Sequence, residues 1–501
     1  MKDTITDQWR VYQEIIEALS TNTTPLRMFL QASAGTGKSF LLEAVYLWCS
    51  LNGHTPLACA PTGIAAARLN VPRTPVHAYT IHNLFALDIQ LQSKIDPSRP
   101  EQEDTRRLSH MTVLIIDEVS MIDDACWLAI KDQLSTISSL HVSDVCGRGF
   151  AWPDALGRVH IILSGDFKQL PPATSNPPFI AADSKIFELF SFRVLRQNRR
   201  LAPAHDSQKQ AELDQFHCTL EDIAMARHSS LVRKFLIEAY VRGAQRTQKN
   251  VNFEGSTACF TKRAYRNRWN KEVLARSAKA FQRSLKVKAT FCARGTQGQW
   301  IRDSAAAAIR RVVRSQCLLN LRLAGQWLQD APRLNSERPH CMRAMLVANL
   351  DVPHRFANGC LGRVTSWSPE YTSSRRAPVP AHHPDVGARF YHESSFQSGK
   401  KHFLPEVDFL DVVPRRETVV NARGQPTMLQ IQLQPAYALT IHKIQALTLT
   451  QLVLGCLEGV FAHGQIYVLI SRVTDPQNFC AIGMPPEDIW MMLLVPGMTQ
   501  G

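Results

Sequence analysis

The sequence predicts an α/β protein built on parallel sheets, and three observations carry that prediction. Short apolar runs alternate with helically spaced segments over the first 200 residues. A glycine-rich turn, ASAGTGKS at 32–39, stands between one such run and the next helical segment. Two later runs end in clustered polar groups, Asp117 with Glu118 and the segment GDFKQLPP at 165–172. Short apolar strands separated by helices belong in a parallel sheet covered on both faces.

Taken in chain order, residues 8–20 have helical apolar spacing. Residues 28–31 form a short strand leading into the glycine-rich turn, and 40–49 are helical again. Residues 56–60, 113–116 and 159–163 are the second, third and fourth strands. The segments 88–110 and 140–157 read as polar or irregular insertions between strands, and 202–243 as helical with one polar face. Residues 367–426, rich in Pro, Ser and charge, read as loops around a small β module. The pair His382 and His383 in that run has no cysteine nearby, so no zinc site is expected. Strands and helices resume at Leu429, and no internal repeat is evident.

Composition bounds the function. A hydrophobic fraction of 45 % with 20 % charged residues excludes wholesale disorder. No apolar run reaches the ~18–20 residues that span a bilayer. The acids within the first fifteen residues fit neither a signal nor a transit peptide, so no membrane partner is expected. The 12 cysteines are scattered with no C-x-x-C, which points to reduced thiols in an intracellular protein; the nucleus or mitochondrion is the expected compartment if the source is a eukaryote. The formal charge of +14 is concentrated, because residues 257–343 hold 19 Lys and Arg against four acids. Phe260, Tyr265, Trp269, Phe281, Phe291, Trp300 and Trp327 lie among those cations. Aromatic faces stack unpaired bases while cations follow phosphates, so nucleic acid is the expected partner of this stretch. A solvated basic face or a protein partner is the alternative.

The ASAGTGKS turn supplies successive backbone N–H groups of Ala34, Gly35, Thr36 and Gly37, and a helix N-terminus, to phosphate oxygens. Lys38 neutralises the β and γ phosphates of ATP, and Ser39 offers its hydroxyl to Mg²⁺. Asp117 is placed to hold Mg²⁺ and Glu118 to polarise the attacking water. Gln169 is suited to sense the γ-phosphate and the water, with Pro171 and Pro172 fixing the backbone behind it. The first glycine usual in such a turn is Ala32 here, which a negative φ accommodates.

These motifs are similar, in order, to those of Pif-type DNA helicases, relatives of the RecD helicases within superfamily 1. The resemblance rests on ASAGTGKS, APTGIAAARL (60–69), TIHNLF (80–85), LIIDEVSM (114–121) and GDFKQLPP. It continues through LRQNRRL (195–201), LVANLDVPHRFANGCLGRV (346–364), AYALTIHKIQALTL (436–449) and GQIYVLISRV (464–473), and so covers about residues 8–479. It implies two RecA-like P-loop motor domains, with a small SH3-like β insertion in the second. The expected layout is a first motor domain over 1–200, with a wedge insertion at about 88–109. The second begins at 201–345 with a basic insertion at about 280–339, then the β module over 346–426, and the remainder of the second motor over 427–501.

The resemblance also implies roles. Gln8 resembles the glutamine that reads adenine, and Arg200 and Arg472 the two arginines that reach the γ-phosphate across the cleft between motors. Thr62 and Gly63 resemble a loop touching the DNA backbone. His82 lies near the single strand, and His442, Lys443 and Gln445 lie in the strand-contacting loop of the second motor. The implied activity is ATP-dependent, 5′-to-3′ unwinding of forked or tailed duplex DNA in repair, recombination or telomere maintenance.

Three departures qualify it. The family's HKSQG is HKIQA here, its ALSR is LISR, and the basic stretch has no counterpart. If the glycine replaced by Ala446 has positive φ, alanine there costs about 1 kcal/mol. Two alternatives stay open: a relative that binds ATP and DNA but turns over poorly, and a mobile-element or RNA-directed helicase.

Overall fold

The structure is a computed structural model. It describes residues 6–21, 24–70, 74, 76–88, 90–96, 99, 101–140, 156–172, 174, 176–182, 186–198, 206–248, 255–280, 284–288, 290–292, 320–324, 326–327, 342–368, 387–392, 409–412, 415–418, 427–456 and 464–483. The chain divides into two compact units, one of 1–262, 351–355 and 440–501, the other of 263–350 and 356–439.

The first unit opens with α1 (Asp7–Thr21), which buries Val11, Ile15 and Leu19 at a four-residue spacing. Then follow β1 (Arg27–Ala32), α2 (Lys38–Leu51), β2 (Pro56–Ala60), α3 (Gly63–Leu69), β3 (Ala78–Thr80) and α4 (Ile81–Leu84). After these come α5 (Glu103–Ser109), β4 (Val113–Ile116), α6 (Asp124–Leu140), β5 (His160–Gly165), α7 (Phe179–Ala182), α8 (Ile186–Leu189) and β6 (Ser191–Leu195). The six strands pair in the order β3-β2-β4-β5-β1-β6, every pair parallel.

Alternation along the strands builds two cores. Met28, Leu30, Val113 and Ile115 face α1 and α2, packing with Ile15, Leu42 and Val45. Phe29, Leu114, Ile116 and Leu163 face the other way, onto Trp127, Ile130 and Leu134 of α6. Successive strand residues point to opposite faces, so each strand feeds both layers. The expected strands lie within two residues of those observed. Two short strands, β3 and β6, went unread, and the expected insertion at 88–110 contains the helix α5.

The expected helical run at 202–243 is two helices, α9 (Ser207–Ala224) and α10 (Ser230–Gln248). They part at Ala226, whose φ of 52° ends a right-handed helix. The chain then forms β7 (Thr257–Phe260) and enters the second unit with α11 (Arg263–Ala280). There β8 (Ser284–Lys288), β9 (Thr290–Cys292), β10 (Asn320–Ala324) and β11 (Gln326–Trp327) lie in the basic stretch. Most of that stretch, with His382 and His383, lies outside the described residues.

Next come β12 (Met342–Leu346), β13 (Leu361–Ser368), β14 (Gly387–His392), β15 (Phe409–Val412), β16 (Arg415–Thr418), β17 (Thr427–Gln430), β18 (Leu433–Pro435) and β19 (Ala438–Thr440). The sheet β15-β14-β13-β12-β18 is antiparallel. Asn270 of α11 ties down the chain after it, donating to the Pro435 and Ala438 carbonyls and accepting from the Ala438 N–H.

The first unit resumes with α12 (Ile441–Ile444), β20 (Leu452–Cys456), α13 (Gln465–Ile470) and β21 (Phe479–Ala481). In its second parallel sheet β20 pairs with β7 on one side and β21 on the other. Phe235 of α10 stacks on Phe479 with ring centroids 5.6 Å apart, and Arg242 donates to the Phe479 carbonyl. Cys49, Cys59, Cys126, Cys218, Cys259, Cys360 and Cys480 are free thiols. Among the described residues no helix is long and apolar enough to cross a membrane.

At the amino-terminal edge of the first sheet, His160 Nδ1 accepts from the Leu26 N–H at 2.9 Å. Burial, with the charges of His54 and Arg27 beside it, pushes this imidazole down to about 4. The unfolded chain takes up that proton near the ordinary histidine value of about 6.5. The stabilisation is therefore whole above pH ~6.5 and is lost as pH falls from there towards 4. Urea unfolding at pH 7 and pH 5 is expected to show a larger drop in midpoint for wild type than for His160→Asn. Equal drops would show that His160 does not carry the effect.

Candidate active site

The glycine-rich turn joins β1 to α2. Ala32 is the last extended residue of β1, paired with Leu195, so the missing glycine is accommodated as expected. Gly35 and Gly37 have φ of 89° and 76°, the left-handed conformation that turns successive amides inward. Gln8 of α1 donates from Nε2 to the Thr36 carbonyl at 2.8 Å. Asp7 beside it accepts from the backbone N–H groups of Arg196 and Gln197.

Lys38, the first residue of α2, places Nζ 2.9 Å from Asp117 and 3.3 Å from Glu118. Both acids follow β4 and are buried. Burial alone would depress the lysine, but the two carboxylates outweigh it and hold the ammonium above its ordinary value. Burial likewise works to raise Glu118, and Lys38, Arg68 and Arg472 overcome it, keeping this carboxyl below the usual range. Glu118 has φ of 54°, a strained position for a non-glycine residue.

Asp166, after β5, is a fully buried hub. It accepts from Gln31 Nε2 at 3.0 Å and Gln169 Nε2 at 3.1 Å. The Tyr467 hydroxyl of α13 donates to it at 3.1 Å and accepts from the Ala34 N–H, also at 3.1 Å. Burial and the Asp166 charge push this phenol up, so it keeps the proton that it donates. Arg472 is buried as well, donating from Nε to the Val468 carbonyl and from Nη2 to Ser471 Oγ. Burial pushes its guanidinium down to about 10.

A cavity of about 300 Å³ is lined by residues 32–40 together with Arg68, Glu118, Gln169, Thr448 and Arg472. Glu118 Oε2 and Gln169 Oε1 are buried there without a hydrogen-bond partner, which suits a polar ligand or water. Amides at a helix N-terminus, a lysine, a carboxylate base and an arginine make a site for a polyphosphate and its hydrolysis. Ser39 and Asp117 are hard oxygen donors of the kind Mg²⁺ takes. The described residues contain no cluster of three or more His, Cys, Asp or Glu able to hold an ion alone. Such an ion would complete its shell with phosphate and water.

Residues 4–234 match the model of the PIF1-like helicase family. That match covers a little under half of the chain. It is 26 % identical over 487 residues to the ATP-dependent DNA helicase PIF7 of Trypanosoma brucei brucei, covering 90 % of this chain and 44 % of that one. The chain spans about half the length of the first curated relatives it matches. The fold matches the crystal structure of Pif1 helicase from Candida albicans with a TM-score of 0.64 at 17 % identity, over 98 % of this chain and 96 % of that one. It also matches Pif1 helicase from Bacteroides in complex with ADP-AlF3 and ssDNA, with a TM-score of 0.61 at 18 % identity, over 97 % and 94 %.

The residues compared with DNA-contacting motifs lie on or beside three short helices, with Gln445 just past the end of α12. Thr62 caps α3, its Oγ1 accepting from the Ala65 N–H, and Gly63 is buried behind it. His82 is exposed on α4 and His442 on α12. Each histidine is the second residue of a four-residue helix that follows a three-residue strand ending in Thr, so the two TIH elements share one strand-to-helix arrangement. Lys443 is half-buried. Gln445 is buried, and neither of its amide atoms has a hydrogen-bond partner. Ala446 has φ of 66°, the positive value that its replacement of glycine puts at issue. Arg200 lies outside the described residues.

Sequence reasoning gave no role to Arg68, Asp166 or Tyr467. Each stands inside a motif already quoted, and only its long-range partner marks it out. Gly464 caps α13 with φ of 80°, and a Cβ there would lie 2.6 Å from the Lys168 carbonyl oxygen and 2.7 Å from that of Gln169. Gly464→Ala is therefore expected to destabilise by about 2–4 kcal/mol, from strained φ plus clash. Gly53→Ala, at φ of 81° with nothing within 4 Å, carries only the conformational cost of about 1 kcal/mol. Urea unfolding measures both, and equal losses would contradict the close seat of α13 on the 165–172 loop.

Proposed function

We propose that this chain is the motor of an ATP-dependent DNA helicase that moves 5′ to 3′ along single-stranded DNA and unwinds tailed or forked duplexes. The observation that carries the reading is the gathering of Lys38, Glu118, Gln169 and Arg472 on one phosphate-sized cavity. The names of the relatives, ATP-dependent DNA helicases, support it. The division into two motors over 1–200 and over 201–345 with 427–501, and an SH3-like module over 346–426, belongs to the same proposal. The antiparallel sheet β12–β15 supports the module.

The amides of residues 34–37 and Lys38 hold the phosphate chain, and Gln8 fixes the turn from the adenine side. Ser39 and Asp117 would hold Mg²⁺, which would neutralise charge on the phosphates. Glu118, kept ionised by its cationic neighbours, takes a proton from the attacking water. Gln169 orients that water from the Asp166 hub. Arg472, with Arg200, meets charge that develops on the transferred phosphoryl group. Thr62, His82, His442 and Lys443 grip the single strand in alternation, with the buried Gly63 and Gln445 shaping the segments that present them, so that each hydrolysis event becomes a step. The gathering of Lys38, Glu118, Gln169 and Arg472 on one cavity argues against a relative that only binds.

Phosphate release with Mg²⁺ATP, with and without single-stranded DNA, tests the reading alongside strand separation of 5′- and 3′-tailed duplexes. DNA is expected to stimulate release strongly, Glu118→Gln to lower it by about 100-fold or more, and only the 5′-tailed duplex to open. Hydrolysis indifferent to DNA would overturn the motor, and opening of the 3′-tailed duplex alone would overturn the polarity.

A further inference from the structure

Arg68 is the one cation of the cavity to which neither composition nor motif reading gives a task. It projects from the last turn of α3 into the cavity beside the glycine-rich turn. Its guanidinium donates to the carbonyl oxygen of Ala446. Ala446 ends the HKIQA segment and is held in a left-handed conformation at φ of 66°. The residue before it, Gln445, has a buried amide with both polar atoms unpartnered. One side chain thus touches both the phosphate cavity and the backbone of a loop that carries a non-glycine strain and an unsatisfied amide.

We propose that Arg68 links the phosphate cavity to the strand-contacting loop, exchanging the Ala446 carbonyl for a phosphate oxygen of the bound nucleotide. The inference rests on the motor reading above and adds to it the residue that transmits occupancy. A carbonyl is a neutral acceptor, whereas a phosphate oxygen is anionic, and charge-assisted hydrogen bonds are roughly twice as strong. A polyphosphate in the cavity therefore competes well for the guanidinium. Alanine is disfavoured relative to glycine at positive φ, so the Arg68 contact offsets a conformation the loop does not favour by itself. Once the contact is lost, the 442–446 segment relaxes, and its side chains meet the strand differently. A ligand shifts such an equilibrium only through contacts that differ between the two states, and the guanidinium supplies that difference. The charge of Arg68 also reaches Glu118 and Arg472, so its movement is felt by the hydrolytic groups.

The test compares the affinity of a fluorescein-labelled oligothymidine with and without ATPγS and Mg²⁺, for wild type, Arg68→Gln, Arg68→Lys and Ala446→Gly. Wild type is expected to change its DNA affinity at least about five-fold on adding nucleotide. In Arg68→Gln that ratio falls to about one, and the DNA affinity without nucleotide moves to the value that wild type shows with nucleotide bound. Arg68→Lys keeps part of the ratio, because charge without the planar fork still competes for phosphate. Ala446→Gly, which stabilises the left-handed loop and leaves the guanidinium alone, narrows the ratio to a smaller extent; it carries the test if Arg68→Gln does not fold. An unchanged ratio in Arg68→Gln, or a wild type that hydrolyses ATP with DNA stimulation yet shows no nucleotide effect on DNA affinity, overturns the link and leaves the motor standing. A wild type with neither hydrolysis nor a nucleotide effect overturns both.

Discussion

A lysine ammonium held between two carboxylates, with no more than 11 % of any of the three side chains exposed, is the constraint around which the first unit is arranged. Lys38 starts α2 after β1, while Asp117 and Glu118 follow β4, and β5 lies between those two strands. The ion cluster therefore spans three strand ends and fixes them as one floor. Removing the cation would leave two buried acids without their partner, a change that costs about 3–5 kcal/mol in comparable settings. The same cluster keeps Glu118 ionised, so stability and chemistry draw on one set of charges.

A second group of contacts carries that floor to the second parallel sheet. The Tyr467 hydroxyl spans from the Ala34 amide to Asp166, and α13 begins at a glycine pressed against the Lys168 and Gln169 carbonyls. The helix that leads to Arg472 is thereby set against both the glycine-rich turn and the Gln169 loop. Arg68 makes the matching connection to Ala446 on the other side of the cavity. Both connections run through backbone groups, amide on one side and carbonyl on the other. They report the position of the main chain rather than the identity of a side chain.

What the sequence made legible follows from how far apart the partners lie. The phosphate turn is contiguous, and its strand, loop and helix follow from eight residues read together. The acids of β4 and the glutamine of the 165–172 loop stand out because each closes a short apolar run. Arg68, Asp166 and Tyr467 act through partners more than 130 residues away or nearly so, as with Gln31 and Asp166 or Ala34 and Tyr467, and nothing local announces them. β6 went unread because SFRVL is a sheet-edge strand that buries only Leu195; Arg193 is held by Glu14 across the surface. The second parallel sheet was hidden for a related reason, since Val453 pairs with Ala258 across most of the second unit. Ala446 shows the reverse case, in which a single substitution in a motif announced a backbone conformation, and the positive φ is there.

The central claim is that the cavity around Lys38 binds MgATP through that ammonium. Titration of a fluorescent ATP analogue with Mg²⁺ into wild type and Lys38→Met tests it most directly. The account predicts a loss of about ten- to a hundred-fold in affinity, the worth of a hydrogen bond to a charged group. Equal affinity in the two proteins would contradict it, and would mean that the nucleotide binds elsewhere or that this lysine serves only the acids beside it.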